Sequence, residues 1–259
     1  MTTSTTRDKN TRLSPALRLG AVAVWLLLWQ LASMAVGLPL LLPSPLAVLL
    51  RLGQLCTGAD FWLTVASSLL RILLGFLLGV LFGTALAGLC WRFRLVDALA
   101  RPLLGVLKST PVASFIILAL VWLSAGNVPI LAGLLMVVPV VYANVTQGIE
   151  AADPQLLEMA RMFGWKRPKV WRRILLPTAL PPFLAACEAC VGMCFKATIA
   201  AEVIGVPRNA MGTQLYHAKI YLQTDALMAW TVVIILLSMV TEKLLREGIE
   251  RGRRRVHHP

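Results

Sequence analysis

The sequence predicts an all-α membrane protein with about six transmembrane helices. Hydrophobic residues fill 58% of the 259 positions and charged residues only 14%, whereas soluble domains carry about 45–50% and about 25%. The apolar residues fall in runs long enough to cross a hydrocarbon layer about 30 Å thick. The charges lie between and beyond these runs, where a membrane protein keeps them.

Three regions follow. Residues 1–16 are polar and Thr-rich and read as a disordered cytoplasmic tail. Residues 17–246 hold the transmembrane domain. Residues 247–259 form a basic cytoplasmic tail containing Arg251, Arg253, Arg254 and Arg255. The first apolar run, Leu19 to Leu42, exceeds the h-region of a signal peptide, about 7–15 residues, and reads as a retained first span. Pro43 and Pro45 break the chain, and Leu46 to Leu52 reads as an interfacial helix. The second span, Phe61 to Leu89, carries Gly75, Gly79 and Gly83 on one stripe, where another helix approaches closely. The third, Leu103 to Leu123, is expected to kink at Pro111. Ser124 to Asn127 is a tight turn before the fourth span, Val128 to Val145. The fifth runs from Leu175 to Ile204, and a polar loop, 205–224, precedes the sixth, Ala226 to Val240.

The net charge of +13 would suit a nucleic-acid binder on a soluble chain. Here about 20 of the 25 Lys and Arg fall on the two tails, the second-to-third loop and the Thr146–Arg173 loop. That bias places both termini and the long loop in the cytoplasm. Nucleic acid is excluded as a partner, and membrane lipid is the surroundings. Cys187, Cys190 and Cys194 share one helical face. With no His nearby to complete a metal set, they read as small packing residues.

The one long polar interruption spans residues 146–177. Asp153 is suited to cap a helix and Pro154 to start it. Leu156, Leu157, Ala160 and Phe163 lie mostly on one side, with Glu158 and Arg161 elsewhere. Gly164 is placed to end this helix in a left-handed conformation. Pro168 starts a second segment, Lys169 to Leu176, that feeds the fifth span. An apolar stripe on so short an element needs a covering surface, either a partner or its own membrane domain.

Glu158-Met159-Ala160, three residues, Gly164, nine residues, Ile174, one residue and Leu176-Pro177 resemble the EAA loop of binding-protein-dependent ABC importer permeases. Met159 stands where that motif has its first Ala. Leu42-Pro43-Ser44-Pro45, Ser67-Ser68-Leu69-Leu70-Arg71 and Ala200-Ala201-Glu202-Val203-Ile204-Gly205 are similar to the nitrate/sulfonate/taurine branch. The resemblance implies the ABC type I importer permease architecture, with Glu158, Ala160, Gly164, Ile174, Leu176 and Pro177 at the coupling loop; Arg161 is added as an exposed charge beside them. It also implies two ATP-binding subunits that bind ATP and Mg, a second permease chain in a homodimer, and an extracytoplasmic substrate-binding protein. The chain itself has no G-x-x-x-x-G-K-[ST] sequence. It is expected to hold no cofactor and to be no enzyme.

Lys196, mid-way along the fifth span, would cost about 2.5–3.5 kcal/mol to insert and must face a cavity or a partner. Glu202 lies about 240° round the helix, and Glu188 about 12 Å along it, so neither pairs with Lys196 directly. Lys196, Glu202 and Arg71 are candidates for the solute path, with structural ion pairing as the alternative. Tyr216, His217 and Lys219 are candidates for the surface that meets the binding protein. A membrane-embedded enzyme would need paired catalytic groups, and Glu188 and Glu202 lie roughly 21 Å apart along one helix. A secondary transporter, the other alternative, would leave the loop pattern unexplained.

Overall fold

The computed structural model describes residues 15–256. Most of the expected N-terminal tail lies outside that range. The described residues contain no β-strand. The elements are α1 (Pro15–Val36), α2 (Pro45–Cys56), α3 (Ala59–Arg92), α4 (Arg94–Ser109), α5 (Val112–Ala119), α6 (Val128–Glu150), α7 (Pro154–Met162), α8 (Arg167–Val170), a π-helical turn (Trp171–Leu175), α9 (Leu176–Gly205), α10 (Met211–Ile220) and α11 (Thr224–Val256). Among the described residues, five helical stretches are long and apolar enough to cross a membrane: α1, α3, α6, α11 and the run from Arg167 to Gly205. The bent pair α4–α5 makes a sixth if taken as one span.

α6 is the centre of the bundle, with α3 on one side and α9 on the other. Lipid supplies no hydrophobic force to join helices, so close backbone approach and dispersion must do so. The glycines allow it. A Cβ on Gly75 would lie 2.8 Å from the Ile130 carbonyl oxygen, and one on Gly79 2.6 Å from Val137 Cβ. On the other side, a Cβ on Gly133 would meet Cys194 Sγ at 2.8 Å, and one on Gly148 would meet Ala179 Cα at 2.7 Å. Cys187, Cys190 and Cys194 are buried in this core. Cys194 Sγ lies 3.5 Å from the Ile72 carbonyl oxygen as its hydrogen-bond donor.

Three sequence expectations are corrected. The third span is not one kinked helix. α4 and α5 meet at 102°, because Thr110 and Pro111 are both extended, with ψ of 133° and 132°. Proline disfavours the helical region for its predecessor as well as removing its own N–H. The Ser109 and Thr110 hydroxyls join the Thr110 N–H in donating to the Val106 carbonyl, at 3.2, 2.8 and 3.0 Å, and close the end of α4. The 205–224 loop contains a helix, α10. The sixth span does not stop at Val240, since α11 continues unbroken into the basic end.

α2 is a 12-residue helix, too short to span, capped by Ser44 Oγ on the Ala47 N–H and started by Pro45. Trp29 Nε1 and Ser33 Oγ of α1 donate to the carbonyls of Pro43 and Leu42, at 3.1 and 2.8 Å.

Substituting Gly79→Ala should destabilise the bundle by about 1–3 kcal/mol through overpacking. Gly105→Ala, which meets nothing within 4 Å, should not. Apparent unfolding temperatures of the detergent-purified variants check this.

Candidate functional site

The polar interruption folds as a hairpin. Asp153 Oδ1 accepts from the Gln155 N–H at 2.8 Å, and Pro154 opens α7. At the far end Gly164 has φ of +61°. Its N–H donates to the Arg161 carbonyl at 3.0 Å, and the Trp165 N–H donates to the Ala160 carbonyl at 2.8 Å. This pair of bonds is the Schellman closure that a left-handed glycine permits. The Lys169 ammonium then sits 4.1 Å over the Trp165 ring, bracing the return arm.

The apolar stripe of the hairpin divides between two surfaces. Ala160 is 1% exposed and Leu157 packs against the protomer's own core. Ile174 is buried there too. Met162 and Phe163 are 88% and 74% exposed, and Leu156 joins them at the surface. Glu158, Arg161 and Gly164 are exposed, as are Leu176 and Pro177 at the start of α9. The return arm is continuous with the membrane: α8, the π turn and α9 form one 39-residue helical run. Trp171 in the π turn lies against Trp91 of α3, ring centroids 5.2 Å apart.

α9 therefore joins the hairpin directly to the membrane domain. Three of its charged residues face three environments. Glu202 is fully buried. Its Oε1 accepts from Arg71 Nη1 at 3.2 Å, and its Oε2 from Ser68 Oγ at 2.9 Å and the Gly212 N–H at 3.0 Å. Ser68 Oγ in turn accepts from the Met211 N–H at 2.8 Å. Arg71 also donates to the Arg208 and Asn209 carbonyls, at 3.0 and 3.2 Å. This network holds the α9–α10 turn, where Val206 and Asn209 sit at φ of +48°. A left-handed β-branched residue persists only where its surroundings over-determine it. Arg71 and Glu202 are thus brought together, away from Lys196.

Glu188 pairs with Arg246 of α11 at 3.7 Å. Lys196 is exposed and has no ion-pair or hydrogen-bond partner among the described residues. It lines a cleft of about 540 Å³ between α9 and α11, with Leu215 of α10 at one end and Glu242 at the other. Sequence reasoning missed Glu242 and Ser238. Closing the sixth span at Val240 hid a carboxylate spaced four residues from both Ser238 and Arg246. Ser68 was visible three residues before Arg71, but its partners, the Met211 N–H and the Glu202 carboxylate, were not. Tyr216, His217 and Lys219 lie on α10, with His217 and Lys219 exposed.

The hairpin is thus continuous with a span that lines a mostly apolar cleft bearing Lys196 and Glu242. The chain matches the family model described as "Binding-protein-dependent transport system inner membrane component" over residues 72–254, and it belongs to that family. It is an ABC importer permease subunit, a multi-pass protein of the inner membrane. It is 27% identical to the taurine transport system permease protein of Escherichia coli, over 89% of this chain and 86% of that protein. It is 26% identical to an aliphatic sulfonates transport permease protein of Bacillus subtilis, over 86% and 82%. A solved structure titled as an amino acid ABC transporter with histidines shares the fold, with a TM-score of 0.59 at 21% identity, over 74% of this chain and 94% of that one.

Replacing Arg71 by Leu strands the buried Glu202 charge and should cost about 3–5 kcal/mol. The double variant Arg71→Leu/Glu202→Gln should recover part of that loss. Unfolding temperatures in detergent separate the two cases. At the hairpin, Gly164→Val should cost about 1–2 kcal/mol in backbone strain and Gly164→Asn less. Faster hydrogen exchange at the Trp165 amide would show it.

Proposed function

We propose that the chain couples to a separate ATP-hydrolysing subunit through its α7 hairpin and conducts a small anionic or polar organic solute. The exposed pair Met162 and Phe163, on a hairpin seated by Ala160 and Ile174, carries the reading. An apolar tip so exposed needs a partner, and a helix tip entering a groove is a common mode of docking. Glu158, Arg161 and Gly164 rim that tip, while Leu176 and Pro177 begin the span that it drives. The relatives named for taurine and aliphatic sulfonates support a solute of sulfonate type. Lys196, exposed on the cleft wall, supplies the complementary charge. Arg71 and Glu202 brace the far end of α9 and do not contact solute.

In the assembly we propose, two copies of this chain form a homodimer, each docked to one of two ATPase subunits that hold ATP and Mg. A substrate-binding protein meets the opposite face, where α10 presents His217 and Lys219. Both termini face the cytoplasm, on the side of the hairpin. Closure of the ATPase pair displaces the hairpins, and the continuous α8–α9 run passes that displacement to the cleft wall. The path shifts only if the ATPase contacts differ between the two states.

Co-purification of the ATPase subunit with this chain from solubilised membranes tests the reading. Wild type should retain it, whereas Phe163→Asp and Gly164→Trp should lower the retained amount at least tenfold while the permease still elutes as a folded dimer. A Gly164 side chain meets nothing within 4 Å on its own protomer, so a loss there reports the docking surface or the turn beneath it. Gly164→Asn, which keeps the turn, should retain the ATPase. Equal retention by wild type and Phe163→Asp would remove the hairpin from the coupling role.

A further inference from the structure

We propose that the α9–α11 cleft is a binding site for a small zwitterion, whose anionic group meets Lys196 and whose cationic group meets Glu242. This rests on the reading of the chain as a solute-conducting subunit and narrows the solute class.

The two helices face each other in antiparallel register. Glu188 of α9 pairs with Arg246 of α11. One turn along, Gly192 faces Glu242: a Cβ on Gly192 would lie 2.9 Å from Glu242 Oε1. One turn further, the register sets Lys196 opposite Ser238, and both line the cleft. The ladder thus contains one closed ion pair and one open one. Glu242 is held to its own helix, with Oε1 accepting from Ser238 Oγ at 3.4 Å, and the absent side chain at Gly192 makes room for it. Lys196, one helical turn or about 6 Å along the axis, is left without a partner among the described residues.

The open pair has no net charge. A simple anion drawn to Lys196 would be repelled by Glu242, and a simple cation would meet the reverse. A solute carrying both signs satisfies both groups at once, and selectivity of this kind comes from repulsion as much as attraction. Apart from Thr231, the remaining wall, including Phe195, Ile199, Ile234 and Ile235, is apolar and suits a short hydrocarbon spacer.

The test is solute binding to the full chain in lipid nanodiscs, measured by calorimetry. The probes are 2-aminoethanesulfonate and 4-aminobutanoate as zwitterions, ethanesulfonate as the anion alone and ethylammonium as the cation alone. Wild type should bind at least one zwitterion at least tenfold more tightly than either single-charge probe. Lys196→Gln should weaken that binding at least tenfold. Glu242→Gln should erase the preference for the zwitterion over ethanesulfonate. Gly192→Ala, which displaces the Glu242 carboxylate without changing any charge, should lower the same preference and decides the matter if a charge variant fails to fold. The proposal is overturned if wild type binds none of the four probes, if ethanesulfonate binds as tightly as both zwitterions, or if the folded variants bind like wild type. Such a result with ATPase retention intact sinks the cleft alone. Loss of ATPase retention with zwitterion binding preserved sinks the coupling reading alone.

Discussion

The structure depends on how closely α6 approaches α3 and α9. In lipid the apolar side chains gain nothing by leaving their solvent, so association must come from packing and polar contacts. Gly75 and Gly79 of α3, and Gly133 and Gly148 of α6, let the helices approach closely, and the crossings leave no room for a Cβ at any of the four. Everything functional hangs from this three-helix core. α9 is gripped along its inner face by α6, so its outer face, with Lys196, is presented at a defined angle to α11. Its inner end runs without interruption into the hairpin.

The same core explains how a buried charge survives. Glu202 would be ruinous in hydrocarbon alone. Here it receives donors from Ser68, Arg71 and the Gly212 N–H. The approach of α10 needed for the last of these depends on Gly212, where a Cβ would lie 2.5 Å from Glu202 Cβ. One carboxylate thereby fastens α3, α9, α10 and the turn between the last two. The network stiffens one end of α9 while the hairpin extends from the other. The cleft lies on the α9 surface between these two ends.

Polar residues in this chain have three distinct fates. Glu202 and Arg71 are closed on each other and serve the fold. Glu188 and Arg246 are closed across the α9–α11 gap and fix its register. Lys196 and Glu242 share that gap and are left open. Charge type alone does not separate these cases, since each pair sets an acid against a base. Register does: the open pair is offset by one turn, and Glu242 is kept on its own helix by Ser238 and by the space over Gly192.

The sequence by itself determined the number of spans to within the broken third one, the α3 glycine stripe, the caps of α7 and the turn at Gly164. These are local: they follow from run length, helical period and the φ demanded at one residue. It also marked Arg71, Lys196 and Glu202 as groups that lipid cannot face bare. Tertiary structure alone decided their partners, because Arg71 and Glu202 lie 131 positions apart and helical period says nothing about which faces meet. It decided that Ala160 seats the hairpin while Phe163 is free. It turned the expected kink at Pro111 into a 102° break. And it set Glu242 beside the Lys196 cleft, since only the antiparallel packing of α9 on α11 fixes which turn of one helix lies against which turn of the other.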